Sequence, residues 1–475
     1  DYIFSVDILN EGIDIVEVNQ VIMLRPTQSP IVFIQQLGRG LRKAEGKEYV
    51  VILDFIGNYN NNFMIPVALS GDNTYNADVI RKYVISGNST IPGASTIHFD
   101  EIAKEKIFHA IDCIKPSTLK ELMKEGYVNL KNRLGRRPIL LDFYENAEMD
   151  PLVIIKEYKT YYSFAEQMEK NEQLFRLSEQ EKTTLEYLSK TILSGVRPDE
   201  LEILRLFLEK NQITYSEVID SCKERYGYEI TTQKIDLACD VLKGKFVTNS
   251  TEREKFYQID ILEADGENRL KRILSYTERL AHKDFYDQVQ DIVAVGLARY
   301  QDKYAKPYRN GVPFVLYEKY SRRDVSLLMN CGKDLSSVMY GMKRIDDDVF
   351  IFITYHKKQM KDASKKYVDG KPDYDDIFES NQIFCWDTQL GKGINSSYSQ
   401  NVITAPRRHL MVQKRDSQIK FYYLGQFDIL EVKSAKKLNQ KGEEQDIAKF
   451  RVKMRNPVRE DIWQYFLSNV DEEYD

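Results

Sequence analysis

Gln35-Gln36-Leu37-Gly38-Arg39-Gly40-Leu41-Arg42 fits the pattern Q-x-x-G-R-x-x-R. Helical spacing from Ile31 to Leu41 puts Arg39 and Arg42, three residues apart, on one helix face. Phosphoryl transfer needs cations where charge develops on the γ-phosphate. Arginine supplies them with bidentate geometry, a device worth about 10³ to 10⁵ in rate. Gly38 and Gly40 remove bulk where a nucleotide-bearing partner lobe would approach. Apolar runs flank this helix. Asn19 to Leu24 reads as one strand, and the continuous run Tyr49 to Phe55 as another, buried on both faces of a parallel sheet. Strand, helix, strand at these lengths is an α/β signature.

Upstream lies Leu9-Asn10-Glu11-Gly12-Ile13-Asp14-Ile15, between two strand-like runs. The pair of motifs resembles motifs V and VI of superfamily 2 helicases and translocases. That resemblance implies that residues 1–95 are the C-terminal part of the second RecA-like lobe. It makes Arg39 and Arg42 arginine fingers. It places Gln35 and Gly38 at the nucleotide, and gives Gly12 and Asp14 the coupling of nucleotide to the DNA track. The sequence holds no G-x-x-x-x-G-K-[ST] and no D-E-x-[HD]. A lone second lobe cannot cradle ATP, so ATP and Mg²⁺ are expected in the intact protein and no cofactor in this piece. The chain starts at Asp1, not Met, and runs directly into strand-like sequence, which reads as a cut inside a larger protein.

The 475 residues carry a net charge of −5, with 42 % hydrophobic and 30 % charged residues. At roughly 150 residues per domain, about three domains are expected. The apolar fraction excludes a disordered chain, and no run reaches the roughly 20 residues of a membrane-spanning helix. Five dispersed cysteines give neither a disulfide framework nor a zinc-binding CxxC pair, which suits a reducing, intracellular compartment. With 68 basic against 73 acidic residues, DNA contact must come from local patches. Residues 96–304 read as helical, with apolar spacing in Leu201–Leu208 and Gln288–Tyr300, and form a coupling domain. Residues 305–475 return to short β-rich runs such as Val349–Tyr355 and Phe421–Leu424, which suggest a sandwich or barrel. The predicted fold is therefore multidomain, α/β then α then β.

The last zone carries the recognition chemistry. Arg322, Arg323, Lys333, Lys343 and Arg344 make a locally basic face for a DNA backbone, interleaved with Tyr317, Tyr320, Tyr340 and Tyr355. Further on, Asp373-Tyr374-Asp375-Asp376-Ile377-Phe378 precedes Ile383-Phe384-Cys385-Trp386. Two aromatic planes can sandwich a base, while a carboxylate accepts from an exocyclic amine such as that of cytosine. The plainer alternative is a half-buried aromatic strand beside an acidic turn. Asn132 to Pro138 is a second basic cluster, more simply a solvated helix end. His356-Lys357-Lys358…Asp362 falls one residue short of H-x-K-x4-D, and no histidine pair has metal-ligand spacing, so no metal site is expected.

Taken with the motor motifs, Phe352–Lys357, Tyr374–Phe378, Phe384–Trp386 and Phe421–Gly425 resemble the SauUSI-like family of helicase-containing restriction enzymes. The resemblance implies an ATP-dependent type IV restriction endonuclease of the bacterial cytoplasm. It would carry a phospholipase-D-like nuclease in its other half, possible homodimers, and an SRA-like β-barrel at residues 305–475. That barrel would bind double-stranded DNA and flip out 5-methylcytosine, with 5-hydroxymethylcytosine as a further candidate base. Tyr374, Phe384 and Trp386 then become the walls of the base pocket and Asp376 its reader, with Asp375 the alternative. Burying one methyl group contributes roughly 0.8 kcal/mol, only about fourfold discrimination. Selectivity would therefore be multiplied by coupling reader to motor. The competing readings are a repair or remodelling helicase whose C-terminal domain binds DNA structure or a protein, and a non-catalytic binding module.

Overall fold

The computed structural model describes residues 3, 16–24, 30–55, 62–87, 96–112, 116–170, 174–256, 259–309, 311–355, 367–368, 371–372, 376–415, 419–439 and 441–468. Two compact units emerge. The first comprises Asp1–Val128, Ala147–Asp150 and Glu460–Asp475, the second Asn129–Asn146 and Pro151–Arg459. This division is not the sequential one into 1–95, 96–304 and 305–475. It falls inside the helix Pro116–Leu134, and it assigns the last helix to the first unit.

In the first unit, β1 (Gln20–Met23) and β2 (Val51–Asp54) pair in parallel, with the helix Pro30–Gly40 as the crossover. Proline suits the opening position because its missing N–H is not needed in a first turn. Phe33 and Leu37, one turn apart, bury together with Met23 and with Phe63, Ile65 and Ile107. Val21, Ile52 and Met23 face that core. The opposite face of the strand pair carries Ile22, Leu24, Val51, Leu53 and Phe55, all exposed. The expectation of a strand buried on both faces is thus corrected. Among the described residues only two strands form this sheet, and the crossover helix covers one side. The terminal helix Glu460–Leu467 packs on the helix Ala77–Ser86 through Lys82–Asp461 at 3.1 Å and a Tyr465 hydroxyl donating to Asp78 at 2.9 Å.

The second unit begins with helices whose starts are written locally. Ser178 and Glu181 form a reciprocal cap on Glu179–Thr191, as Thr214 and Glu217 do on Tyr215–Tyr226. A small antiparallel sheet, β3 (Gln212–Thr214), β4 (Leu262–Ala264) and β5 (Arg269–Arg272), lies among them. The helix Lys283–Arg299 supplies Asp291, which accepts from the backbone N–H groups of Leu140 and Leu141 at 2.6 and 2.9 Å. Burial pushes the Asp291 carboxyl up to about 7 despite those two donors.

The β-rich part forms one eight-stranded sheet. Its strands are β6 (Lys319–Ser321), β7 (Met342–Ile345), β8 (Asp348–Thr354), β11 (Ile377–Phe378), β12 (Ile383–Asp387), β13 (Arg407–Gln413), β14 (Lys420–Leu438) and β15 (Glu444–Met454). A separate two-residue pair, β9 (Tyr367–Val368) and β10 (Lys371–Pro372), stands apart from it. The strand order is β11-β12-β15-β14-β13-β8-β7, with β6 on the early part of β14; only β8 and β13 run parallel. The described strands do not close. β11 and β7 each have a single strand neighbour, which corrects the expected barrel. The cause lies in β14: Tyr422–Gln426 pairs with β13, and Phe427–Leu438 pairs with β15 across a register shift between Ile429 and Glu431. One strand thereby joins two half-sheets.

The helical and β-rich segments share buried polar ties. Arg197 hydrogen-bonds Glu200, donates to the Leu327 carbonyl at 2.8 Å and lies 3.6 Å from Asp199, all three side chains being buried. Burial raises the Asp199 carboxyl to about 6, so its charge is only weakly favoured there. Removing the cation strands the buried Glu200, whereas removing the Asp199 charge does not. Arg197→Met should therefore cost about 3–5 kcal/mol, and Asp199→Asn a small fraction of that. Urea unfolding at pH 7.5 checks the contrast, and equal losses would contradict it.

Candidate nucleic-acid interface

The motor motif sits on the crossover helix of the first unit. Phe33, Leu37 and Gly40 face inward, while Gln35, Gly38 and Arg42 are exposed on the other side. Gly38 is open: a Cβ at this position would meet nothing within 4 Å, consistent with a surface that another body could approach. Gly40 has a different reason: a Cβ there would meet Val21 Cγ2 at 3.0 Å, so it lets the helix lie close on β1. Lys47 closes the helix end by donating to the carbonyls of Gly40 and Arg42 at 2.7 and 2.8 Å, the favourable place for a cation. Gly12, Asp14 and the Arg39 side chain lie outside the described residues.

The basic face of the β-rich part separates into two kinds of residue. Arg322 opens the helix Arg322–Leu328 and lies among rings, its guanidinium 4.8 Å from the Phe421 centroid, 5.3 Å from Tyr340 and 5.4 Å from Phe352. Arg323 turns the other way. It binds Glu252 at 2.6 Å and Asp334 at 2.8 Å, and Asp334 is buried. This corrects its assignment to the DNA backbone, because two carboxylates already neutralise it. Lys333 is exposed. Lys343 is half-buried on β7, and Arg344 donates to the Asp346 carbonyl and to Thr404, both at 3.0 Å. Of the four interleaved tyrosines, Tyr320 is buried, Tyr317 is held by the Pro457 carbonyl at 2.7 Å, Tyr355 is half-buried, and Tyr340 is exposed. The second basic cluster is spent on structure: Arg136 grips Asp142 with two bonds of 2.6 and 2.8 Å, and Arg137 covers the Phe175 ring.

The proposed base pocket does not open where spacing placed it. Phe384 is 0 % and Trp386 1 % exposed. Trp386 stacks on Phe450 at 4.7 Å and 6°, with Phe427 against its edge, and Phe384 packs on Phe378. Alternation along β12 explains this: Phe384 and Trp386 point to the apolar face, while Cys385 points out toward Glu379 and Arg451. These two rings are core, not walls of an open slot. Asp376 is half-buried just ahead of β11 and accepts from the Asp387 backbone N–H at 3.4 Å. Burial raises the Tyr355 hydroxyl pKa, and Asp376 adds to that rise. Tyr374, Asp375 and the stretch 356–366, with its near-miss nuclease pattern, lie outside the described residues. Among the described residues no cluster of His, Cys, Asp and Glu could hold a metal ion.

Sequence reading did not find the polar group shared by β8, β13 and β14. Asp348 on β8 receives a two-point grip from Arg407, 2.7 Å at each contact, and lies 2.8 Å from His409 Nε2. The other His409 nitrogen is 2.9 Å from the Tyr423 hydroxyl. A carboxylate only accepts, so Nε2 carries the proton and Nδ1 accepts from Tyr423. The ring stacks on Phe350 at 4.6 Å. The sole sequence signal is Arg407 and His409 on alternate positions of one strand, and their common partner lies 59 and 61 residues away.

Three segments match known families. Residues 1–44 match the helicase conserved C-terminal domain, residues 123–304 a domain of unknown function (DUF8090), and residues 314–466 another (DUF3427). The chain is 37 % identical over 57 residues to the candidate ATP-dependent helicase IRC3 of Saccharomyces cerevisiae. That stretch is 12 % of this chain and spans only 8 % of the yeast protein. Solved structures that align include the sulfur-binding and SRA domains of ScoMcrA with phosphorothioated DNA, at 11 % identity, covering 61 % of this chain and 96 % of that one, with a TM-score of 0.21. The type IV phosphorothioation-dependent restriction endonuclease ScoMcrA aligns at 9 % identity over 68 % of this chain and 64 % of that one, with a TM-score of 0.19. No described helix is long and apolar enough to cross a membrane.

The Asp348 cluster has a readable pH signature. Burial holds His409 below its usual 6.5, so it is neutral in the fold, and the unfolded chain takes up its proton first. Arg407 and His409 hold Asp348 down at about 2 against burial. Stability should fall as pH drops below about 6.5, and fall again below the usual carboxylate value of 3.8. His409→Gln should be less stable at pH 7 yet lose less between pH 7 and 5 than the wild type. Urea midpoints at the two pH values decide it, and parallel losses in both proteins would be the contrary result.

Proposed function

We propose that this chain is the DNA-engaging part of an ATP-dependent helicase or translocase, of the kind that serves in type IV restriction. The observation that carries this reading is the helicase conserved C-terminal domain match over residues 1–44, with Q-x-x-G-R-x-x-R displayed on the crossover helix of a parallel βαβ unit. The exposed apolar face of Ile22, Leu24, Val51, Leu53 and Phe55 supports it, since a face of that composition calls for a covering body, and the remainder of a motor lobe would supply one. ATP and Mg²⁺ would then act in the intact protein. Gln35 and Arg42 are exposed and fit a nucleotide held on a facing lobe; Arg39 is the second cation of the proposal.

The finer reading is recognition of 5-methylcytosine in duplex DNA by the β-rich part, with Asp376 on the base and Arg322, Lys333, Lys343 and Arg344 along the backbone. Base flipping would then use Tyr374 as a wall, since Phe384 and Trp386 are packed inside. Cleavage would come from a phospholipase-D-like nuclease elsewhere in the intact protein, acting as a dimer. One observation favours a second reading, a repair or remodelling helicase whose C-terminal part binds DNA structure: the two strand-borne rings have no free face.

Fluorescence anisotropy with matched methylated and plain duplexes separates the two. The restriction reading expects tighter binding of the methylated duplex, about fourfold from a methyl contact alone, with the preference removed by Asp376→Ala. Equal affinity for both duplexes, unaltered by that substitution, supports the second reading. Arg322→Ala should weaken both complexes alike and reduce the salt slope by about one. No binding to either duplex would refute both.

A further inference from the structure

Tyr340 is the exposed aromatic of the β-rich part that the base-pocket reading leaves unused. Its side chain is 66 % exposed, yet its backbone is fixed on both sides. Met339 before it is fully buried in the core. Gly341 after it takes φ +72, and a Cβ there would come within 2.9 Å of Gln389 Nε2 and 3.1 Å of the Tyr398 hydroxyl. The Tyr340 carbonyl accepts from Met342 N–H at 2.8 Å, and the Gly341 carbonyl from Phe352 N–H at 2.8 Å. The ring is therefore carried on a rigid turn, not on a loose loop.

A cation lies against the ring. The Arg322 guanidinium lies 5.3 Å from the ring centroid and is itself held by Phe421 and Phe352. A cation on one side draws π density from the ring and suits the outer side to an electron-rich plane. Lys333 is exposed in the turn before the ring, and Lys343 follows it by three residues on β7. The acidic residues of this region are Asp334, which Arg323 holds, and Asp346 with Asp347 at the far end of β7. Val338, two residues earlier in the chain, is also exposed.

We propose that Tyr340 is a stacking platform for an unpaired base, with Arg322, Lys333 and Lys343 on the adjoining backbone, and that its partner is single-stranded DNA. A duplex keeps its base faces covered and cannot use such a ring, whereas every unpaired base presents a π face. The inference rests on the DNA-engaging reading above, in which a motor would open the strand that this ring receives.

The test uses this chain with fluorescently labelled single-stranded 15-mers of mixed sequence and the matched duplex. Tyr340→Ala should weaken single-strand binding by about tenfold or more and leave duplex binding within twofold. Tyr340→Trp should keep single-strand affinity and show fluorescence quenching when the strand is added. An unchanged thermal midpoint for both variants shows that the fold is retained, as expected for an exposed ring. If single-strand binding is indifferent to Tyr340→Ala while the duplex is bound, the platform is refuted and the DNA-engaging reading stands. If wild type binds neither strand form, both fall.

Discussion

Strand β14 has to satisfy two sets of partners with one backbone. Its N-terminal part donates and accepts toward β6 and β13, and its C-terminal part toward β15. A uniform twist carried across all eight strands would curl the sheet toward closure. The register shifts at Leu410/Met411 and at Ile429/Glu431 interrupt that course. Each inserts an irregularity that bends the strand locally. The outcome is an open sheet with two apolar layers: Phe314, Phe350, Phe352 and Tyr423 under one half, and Phe384, Trp386, Phe427 and Phe450 under the other. Where each aromatic ends up, in the interior or at the surface, follows from which half and which face of this shared strand it opposes.

The Asp348 cluster sits where the parallel pair β8–β13 meets β14. Two polar side chains of this pair, Asp348 and His409, are buried, and the exposed Arg407 reaches in to the carboxylate. They are tolerable because each has a partner: the carboxylate is met by a guanidinium and an imidazole, and the imidazole by a tyrosine hydroxyl. Such a chain fixes relative strand position in a way that a purely aliphatic layer would not, because sliding one residue would break four short contacts at once.

Legibility followed the range of the interactions. The strand-helix-strand unit could be read from periodicity, because Phe33 and Leu37 are one turn apart and Tyr49–Phe55 is a local run. Helix starts at Ser178 and Thr214 could be read because the capping partner is three residues away. Arg323 could not: its partners lie 71 and 11 residues off, and nothing near it in sequence announces them. The aromatic pair on β12 was ambiguous for a different reason. Period-2 alternation places Phe384 and Trp386 on one face, but only the neighbouring strand, which brings Phe450 to 4.7 Å, determines that the face is closed. The open sheet escaped prediction because a bulge leaves no compositional mark.

Adjacent arginines with opposite fates show how the second unit divides labour. Arg322 and Arg323 occupy the first turn of one short helix, so their side chains diverge by roughly 100°. That divergence sends one guanidinium among the rings of Tyr340, Phe352 and Phe421 and the other to Glu252, on the helix Ser250–Phe256, and to Asp334. Glu252 also binds Lys190, on the capped helix Glu179–Thr191. Asp334 receives the backbone contact that links it to Phe246, its N–H reaching the Phe246 carbonyl at 2.9 Å. The residue beside Arg322 therefore takes part in ion pairs that reach two helices of the central segment. Displacing Arg323 would leave the buried Asp334 carboxylate without its cation, whereas Glu252 would keep Lys190. These ion pairs tie the β-rich sheet to the helices Glu179–Thr191 and Ser250–Phe256 within the second unit.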